Sequence, residues 1–159
     1  MADAPSSEEV AIWQRRLAAQ ANNRAWRLSE STARSPEQDE EMLQASHASM
    51  YFWKLVGNAS NRAHAALLVA HVYAQLRIPN PAKHYLAQCE SFFFGQDCEP
   101  WERACAFAVK AGVAAAAGQY EVHASSYGEA ERLIAALPDP EDRMILNATL
   151  HVVPKPGVA

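Results

Sequence analysis

Residues 63–130 constrain this chain most, because they repeat. Ala70, Tyr73, Ala82, Leu86 and Cys89 return 41 positions later (123 − 82 for the third pair) as Ala111, Ala114, His123, Tyr127 and Ala130. Small residues recur where two helices must approach closely, and larger ones recur where a gap must be filled. One helical hairpin cannot bury its apolar face alone, so a repeated hairpin needs a stacked neighbour. The expected fold is all-α: about seven antiparallel helices stacked as hairpins. Such a body is a scaffold for binding.

The punctuation supports this. Ser35-Pro36, Asn80-Pro81, Glu99-Pro100 and Asp139-Pro140 each place a side-chain acceptor before a proline, the pairing that suits an N-cap and the first helical residue. Gln38 completes a capping box with Ser35, and Ser6 with Glu9 has the same spacing. Gly57, Gly95 and Gly118 each follow an apolar helical run, where a left-handed residue is expected to end the helix. These marks predict helices over 6–32, 36–56, 60–77, 81–94, 100–117, 120–137 and 140–152. In the first, Val10, Trp13, Leu17, Ala21, Ala25 and Leu28 form one apolar stripe. In the fifth, Ala111 and the run from Ala114 to Ala117 leave little bulk, as befits a buried central helix.

Composition bounds what such a scaffold touches. The 159 residues are 50% hydrophobic and 20% charged, which fits one folded domain over 1–159 with frayed ends at 1–5 and 153–159. Acidic residues outnumber basic ones by 18 to 14, and the basic ones are dispersed, so no phosphate-tracking stripe exists and nucleic acid is not expected as a partner. No apolar run approaches the ~20 residues that span a bilayer, so no membrane partner is expected either. The acidic start, without a hydrophobic leader core, and an odd count of three cysteines fit a cytoplasmic protein.

Ala70, Tyr73, Ala82, Leu86 and Cys89, then Ala111, Gly118, Tyr120, Tyr127 and Ala130, with Ala117-Gly-Gln-Tyr120 at the turn, resemble tetratricopeptide repeats. The repeat is about seven residues longer than that family's unit, His123 replaces a small residue, and Arg77 stands where Gly is usual. The words His47-x-x-x-Tyr51-x-Trp53, Asn61-Arg62-Ala63, Val72-Tyr73-Ala74 and Asp139-Pro-Glu-Asp-Arg143 are similar to those of uncharacterised bacterial helical-repeat proteins. The resemblance implies a concave groove that binds a protein or peptide, or a second copy of the chain; a non-enzymatic scaffold is the first expectation, and no cofactor is expected. In that register the groove is lined by His64, Leu67, His71 and Gln75, with Cys105, Ala108 and Gly112 from the next unit.

Histidines supply the alternative. His64 and His71 are seven apart, on one helical face, and His47 with Tyr51 and Trp53 lies on the preceding helix. Convergence of His47, His64 and His71 beside Tyr51 would make a small-ligand or metal-binding bundle. Against it, seven residues span ~10 Å along the axis, which strains the reach of both imidazoles to one ion. Arg77 and His84 carry no joint reading, because Pro79 and Pro81 interrupt the interval. The triplets Tyr51-Phe52-Trp53 and Phe92-Phe93-Phe94 cannot each point one way, since successive helical side chains diverge by ~100°.

Overall fold

A computed structural model describes residues 4–95 and 97–157. These form α1 (Ser7–Ser29), α2 (Pro36–Val56), α3 (Ala59–Gln75), α4 (Pro79–Phe94), α5 (Pro100–Ala116), α6 (Tyr120–Ala136) and α7 (Pro140–His151), with no strand among the described residues. Every end lies within three residues of its expected position. Local chemistry explains this. The Ser6 hydroxyl accepts from the Glu9 amide while Glu9 Oε2 accepts from the Ser6 amide at 2.8 Å. Ser35 and Gln38 do the same for α2, and Asn58 and Asn61 for α3.

Two expectations about helix ends fail. α4 starts at Pro79, not after Asn80, with Ile78 as an N-cap that offers no side-chain acceptor. Both Pro79 and Pro81 fit, because first-turn amides have no helical partner to lose. Gly57 and Gly95 are not left-handed, at φ −89° and −104°. Gly57 is needed for space instead: a Cβ there would lie 2.6 Å from the Trp53 carbonyl oxygen. The left-handed stops are Gly118 and, unexpectedly, Arg77.

These two residues carry the repeat. Ile78 N–H donates to Tyr73 O and Arg77 N–H to Ala74 O; 41 residues later Gln119 N–H donates to Ala114 O and Gly118 N–H to Ala115 O. This is one C-terminal motif used twice. Ala70, Ala82, Leu86 and Cys89 are buried, and so are their counterparts Ala111, His123, Tyr127 and Ala130.

Helices pack as the pairs α1 with α2, α3 with α4 and α5 with α6, and the odd-numbered helices also touch in series, α1 on α3, α3 on α5 and α5 on α7. The end of α3 meets the start of α4, where Tyr73 and Tyr85 stack at 5.9 Å, and the start of α3 meets the end of α4, where His64 lies on Phe93. Phe93, Leu67 and Val109 are fully buried at the centre, and a smaller cluster of Ala25, Leu28, Met42, Leu68 and Val72 ties the first pair on. From Ala104 to Ala114, α5 is buried on nearly every side.

The expected stripe on α1 is only half right. Ala25 and Leu28 are buried, whereas Trp13 is 60% exposed and Val10 and Leu17 face outward with it. The buried residues of α1 are Ala18, Ala25, Leu28 and Ser29, and Ala25 and Leu28 cluster with Met42 of α2 and with Leu68 and Val72 of α3. Within 153–157, expected to fray, the chain makes tertiary contacts. Val153 is 3% exposed, Gln75 Nε2 donates to the Val152 carbonyl, and His123 Nε2 bonds the Pro154 carbonyl at 2.7 Å. Residues 1–3 and 158–159, expected to fray, lie outside the described residues.

Candidate binding groove

The face that the repeat would offer as one long groove is mostly sealed. Leu67, His71 and Ala108 are fully buried, which removes them as an exposed lining, and Cys105 and Gly112 are mostly covered. The cause is direct packing of α3 on α5, with residues 152–157 laid beside them. A Cβ on Gly112 would sit 3.5 Å from Val153 Cγ2 and 3.8 Å from Ala74 Cβ. Gln75 and Gly112 still border a cavity of about 600 Å³ that Arg77, His123 and Lys155 share. His64 and Cys105 border a different one.

That second opening, about 440 Å³, lies between α1, α3, α5 and α7. Trp26 comes from α1, His64 from α3, Trp101 from α5, and Asp142, Ile145 and Thr149 from α7. Each indole has an imidazole of α3 against it. Trp101 stacks on His64 at 5.5 Å and 17°, and Trp26 stacks on His71 at 5.1 Å and 28°. The seven-residue spacing of the two histidines therefore sets each against a different indole. His64 Nε2 also bonds Glu102 Oε1 at 2.7 Å, and the other oxygen of Glu102 accepts the Glu99 amide at 2.9 Å. The Glu102 carboxylate thus caps α5 and fixes the imidazole that flanks Trp101.

Reactive groups are subdued here. Burial, then Cys89 and Glu102, pushes the Cys105 thiol up to about 12, so it is not a thiolate at neutral pH. Burial, reinforced by Arg34, pushes His71 down to about 4, and neither of its ring nitrogens has a hydrogen bond. Burial raises the Glu30 carboxyl at the groove edge.

The alternative cluster does not assemble. His47 Nε2 bonds the Tyr73 hydroxyl at 3.0 Å and its ring lies edge-on to Tyr73 and Tyr85, while burial holds its pKa below the usual imidazole value. Tyr51 is 58% exposed with its ring on Phe52, and Trp53 is partly buried. His47, His64 and His71 thus occupy three separate aromatic settings. Among the described residues no three His, Cys, Asp or Glu side chains are grouped to hold a metal ion.

Trp26, Glu30 and Asp142 escaped the sequence reading. Asp142, Ile145, Leu146 and Thr149 stand at i, i+3, i+4 and i+7, a spacing that puts them on one face of α7 and is the signal that could have found them. No protein-family model matches this chain, and neither does any curated protein or solved structure. No helix among the described residues is long and apolar enough to cross a membrane.

Proposed function

We propose that this protein is a non-catalytic helical-repeat module, tetratricopeptide-like in its hairpins, that binds a peptide segment of a partner protein between α1, α3, α5 and α7. One observation carries the reading: Trp26 and Trp101 line an open groove, each braced by an imidazole of α3. Aromatic walls held in place give large contact area at small entropic cost. The repeated turn at Arg77 and Gly118 supports the tetratricopeptide-like reading. The subdued Cys105 and His71 favour binding over chemistry. Three free thiols fit a reducing, cytoplasmic address.

Selection of displayed peptides against the folded protein tests this. Selected peptides should lose about tenfold or more in affinity on Trp101→Ala, the usual cost of truncating an aromatic anchor. Peptides that bind Trp101→Ala and Trp26→Ala as well as the parent would remove the groove from consideration.

A second reading, self-association, is favoured by a different surface. Val10, Trp13 and Leu17 on α1 and Tyr51 and Leu55 on α2 are all exposed, so the first hairpin presents bulky apolar side chains to solvent. Light scattering should then give a mass above that of the single chain, falling to the single-chain value in Trp13→Lys. A single-chain mass at high concentration would sink it.

A further inference from the structure

The groove also carries charge, and, resting on the peptide-binding reading above, that charge narrows the ligand. Glu30, just past the end of α1, and Asp142, in the first turn of α7, enter it from opposite ends of the sequence. Neither carboxylate has a hydrogen-bond or ion-pair partner among the described residues, and the lining includes no Lys or Arg. The third acid nearby, Glu102, is already committed to His64 and the Glu99 amide. Two uncompensated negative charges therefore share a partly apolar cleft with two indoles.

Each part of that arrangement recognises a cation. An indole face attracts a positive charge through its quadrupole, and the attraction grows as water is excluded. A carboxylate beside it supplies the counter-charge, and a cation bound there would relieve the desolvation that raises the Glu30 carboxyl. Among cations, guanidinium is planar, weakly hydrated and forked, so it stacks on a ring while it pairs edge-on with carboxylate. The cavity, at about 440 Å³, is in the range that holds one long side chain with its backbone. We propose that this groove selects a partner peptide by an arginine side chain, whose guanidinium lies against Trp26 or Trp101 and pairs with Glu30 and Asp142.

The test is a titration of the full chain with capped Gly-Arg-Gly, and with the same peptide carrying citrulline, the neutral isostere of arginine. The indole N–H resonances of Trp26 and Trp101 report binding, and those of Trp13 and Trp53 serve as internal controls. The arginine peptide should shift the first pair saturably and bind about tenfold or more tighter than the citrulline peptide, the scale of one charge-assisted hydrogen bond. Glu30→Gln with Asp142→Asn should erase that preference with little change in Tm, since neither carboxylate has a partner to lose. The citrulline comparison on the unmodified protein keeps the test independent of how the variant folds. Equal binding of the two peptides, or an arginine preference that survives the double substitution, overturns the proposal while peptide binding stands. Silence of both indoles toward these peptides and toward peptides selected by display overturns both.

Discussion

Arg77 and Gly118 close α3 and α5 in the same left-handed conformation, at φ 59° and 69° and 41 residues apart. Glycine adopts that conformation freely, whereas an L side chain crowds its own backbone. Arg77 is exposed and its side chain makes no hydrogen bond or ion pair among the described residues. Arg77→Gly should therefore stabilise the fold by about 0.5–1 kcal/mol. Chemical denaturation should show a higher midpoint at unchanged slope; a lower midpoint would mean that the arginine contributes something the turn does not need.

Stability should fall with acid between neutral pH and about 4. His71 is held near 4 when folded against 6.5 for the free side chain, so across that interval the unfolded chain binds the extra proton. Stability is complete above about 6.5, declines as pH drops, and has lost about 3 kcal/mol once pH is below 4. His71→Phe keeps a ring against Trp26 and removes the titration. Its Tm should vary less between pH 4.5 and pH 7 than that of the parent, and an identical pH profile would assign the acid sensitivity elsewhere.

Gly112 lies inside α5, where glycine costs about 1 kcal/mol relative to alanine. A Cβ there meets Val153 and Ala74 only at ordinary contact distance. Gly112→Ala should raise stability by about 0.5–1 kcal/mol. Gly112→Leu should instead cost about 1–3 kcal/mol by overpacking and release residues 152–157, which limited proteolysis would detect as a new cut near Val153.

Glu102→Ala should destabilise by about 1–3 kcal/mol, because it removes both the Glu99 cap and the fixed partner of His64. The same change should broaden the Trp101 indole resonance, because the ring stacked on it loses its anchor. An unaltered Trp101 signal would show that His64 is held by packing alone.

Helix positions were legible because the signals that set them are local. A cap acts within three residues, as Ser6 with Glu9 and Ser35 with Gln38 show. Where the local signal misled, competition with neighbours is the reason. Asn80-Pro81 reads as a start, yet the chain enters α4 at Pro79 because Ile78 N–H completes the turn that ends α3. The groove was only partly legible. His64 and Cys105 do border an opening, but Leu67, His71 and Ala108, on the same predicted face, are sealed inside.

The amino-acid order alone determined seven helices, several of their caps, and a unit that recurs at 41 residues, since each rests on contacts within a turn or on the spacing of small side chains. Which side of each helix meets water was decided by the tertiary structure. Burial depends on what arrives from far along the chain: Met42, Leu68 and Val72 cover Ala25 and Leu28 of α1, Val153 settles against Gly112, and α7 brings Asp142 to the groove that Trp26 lines. Periodicity marks a helix face, but only the packed neighbours fix whether that face becomes core or binding surface.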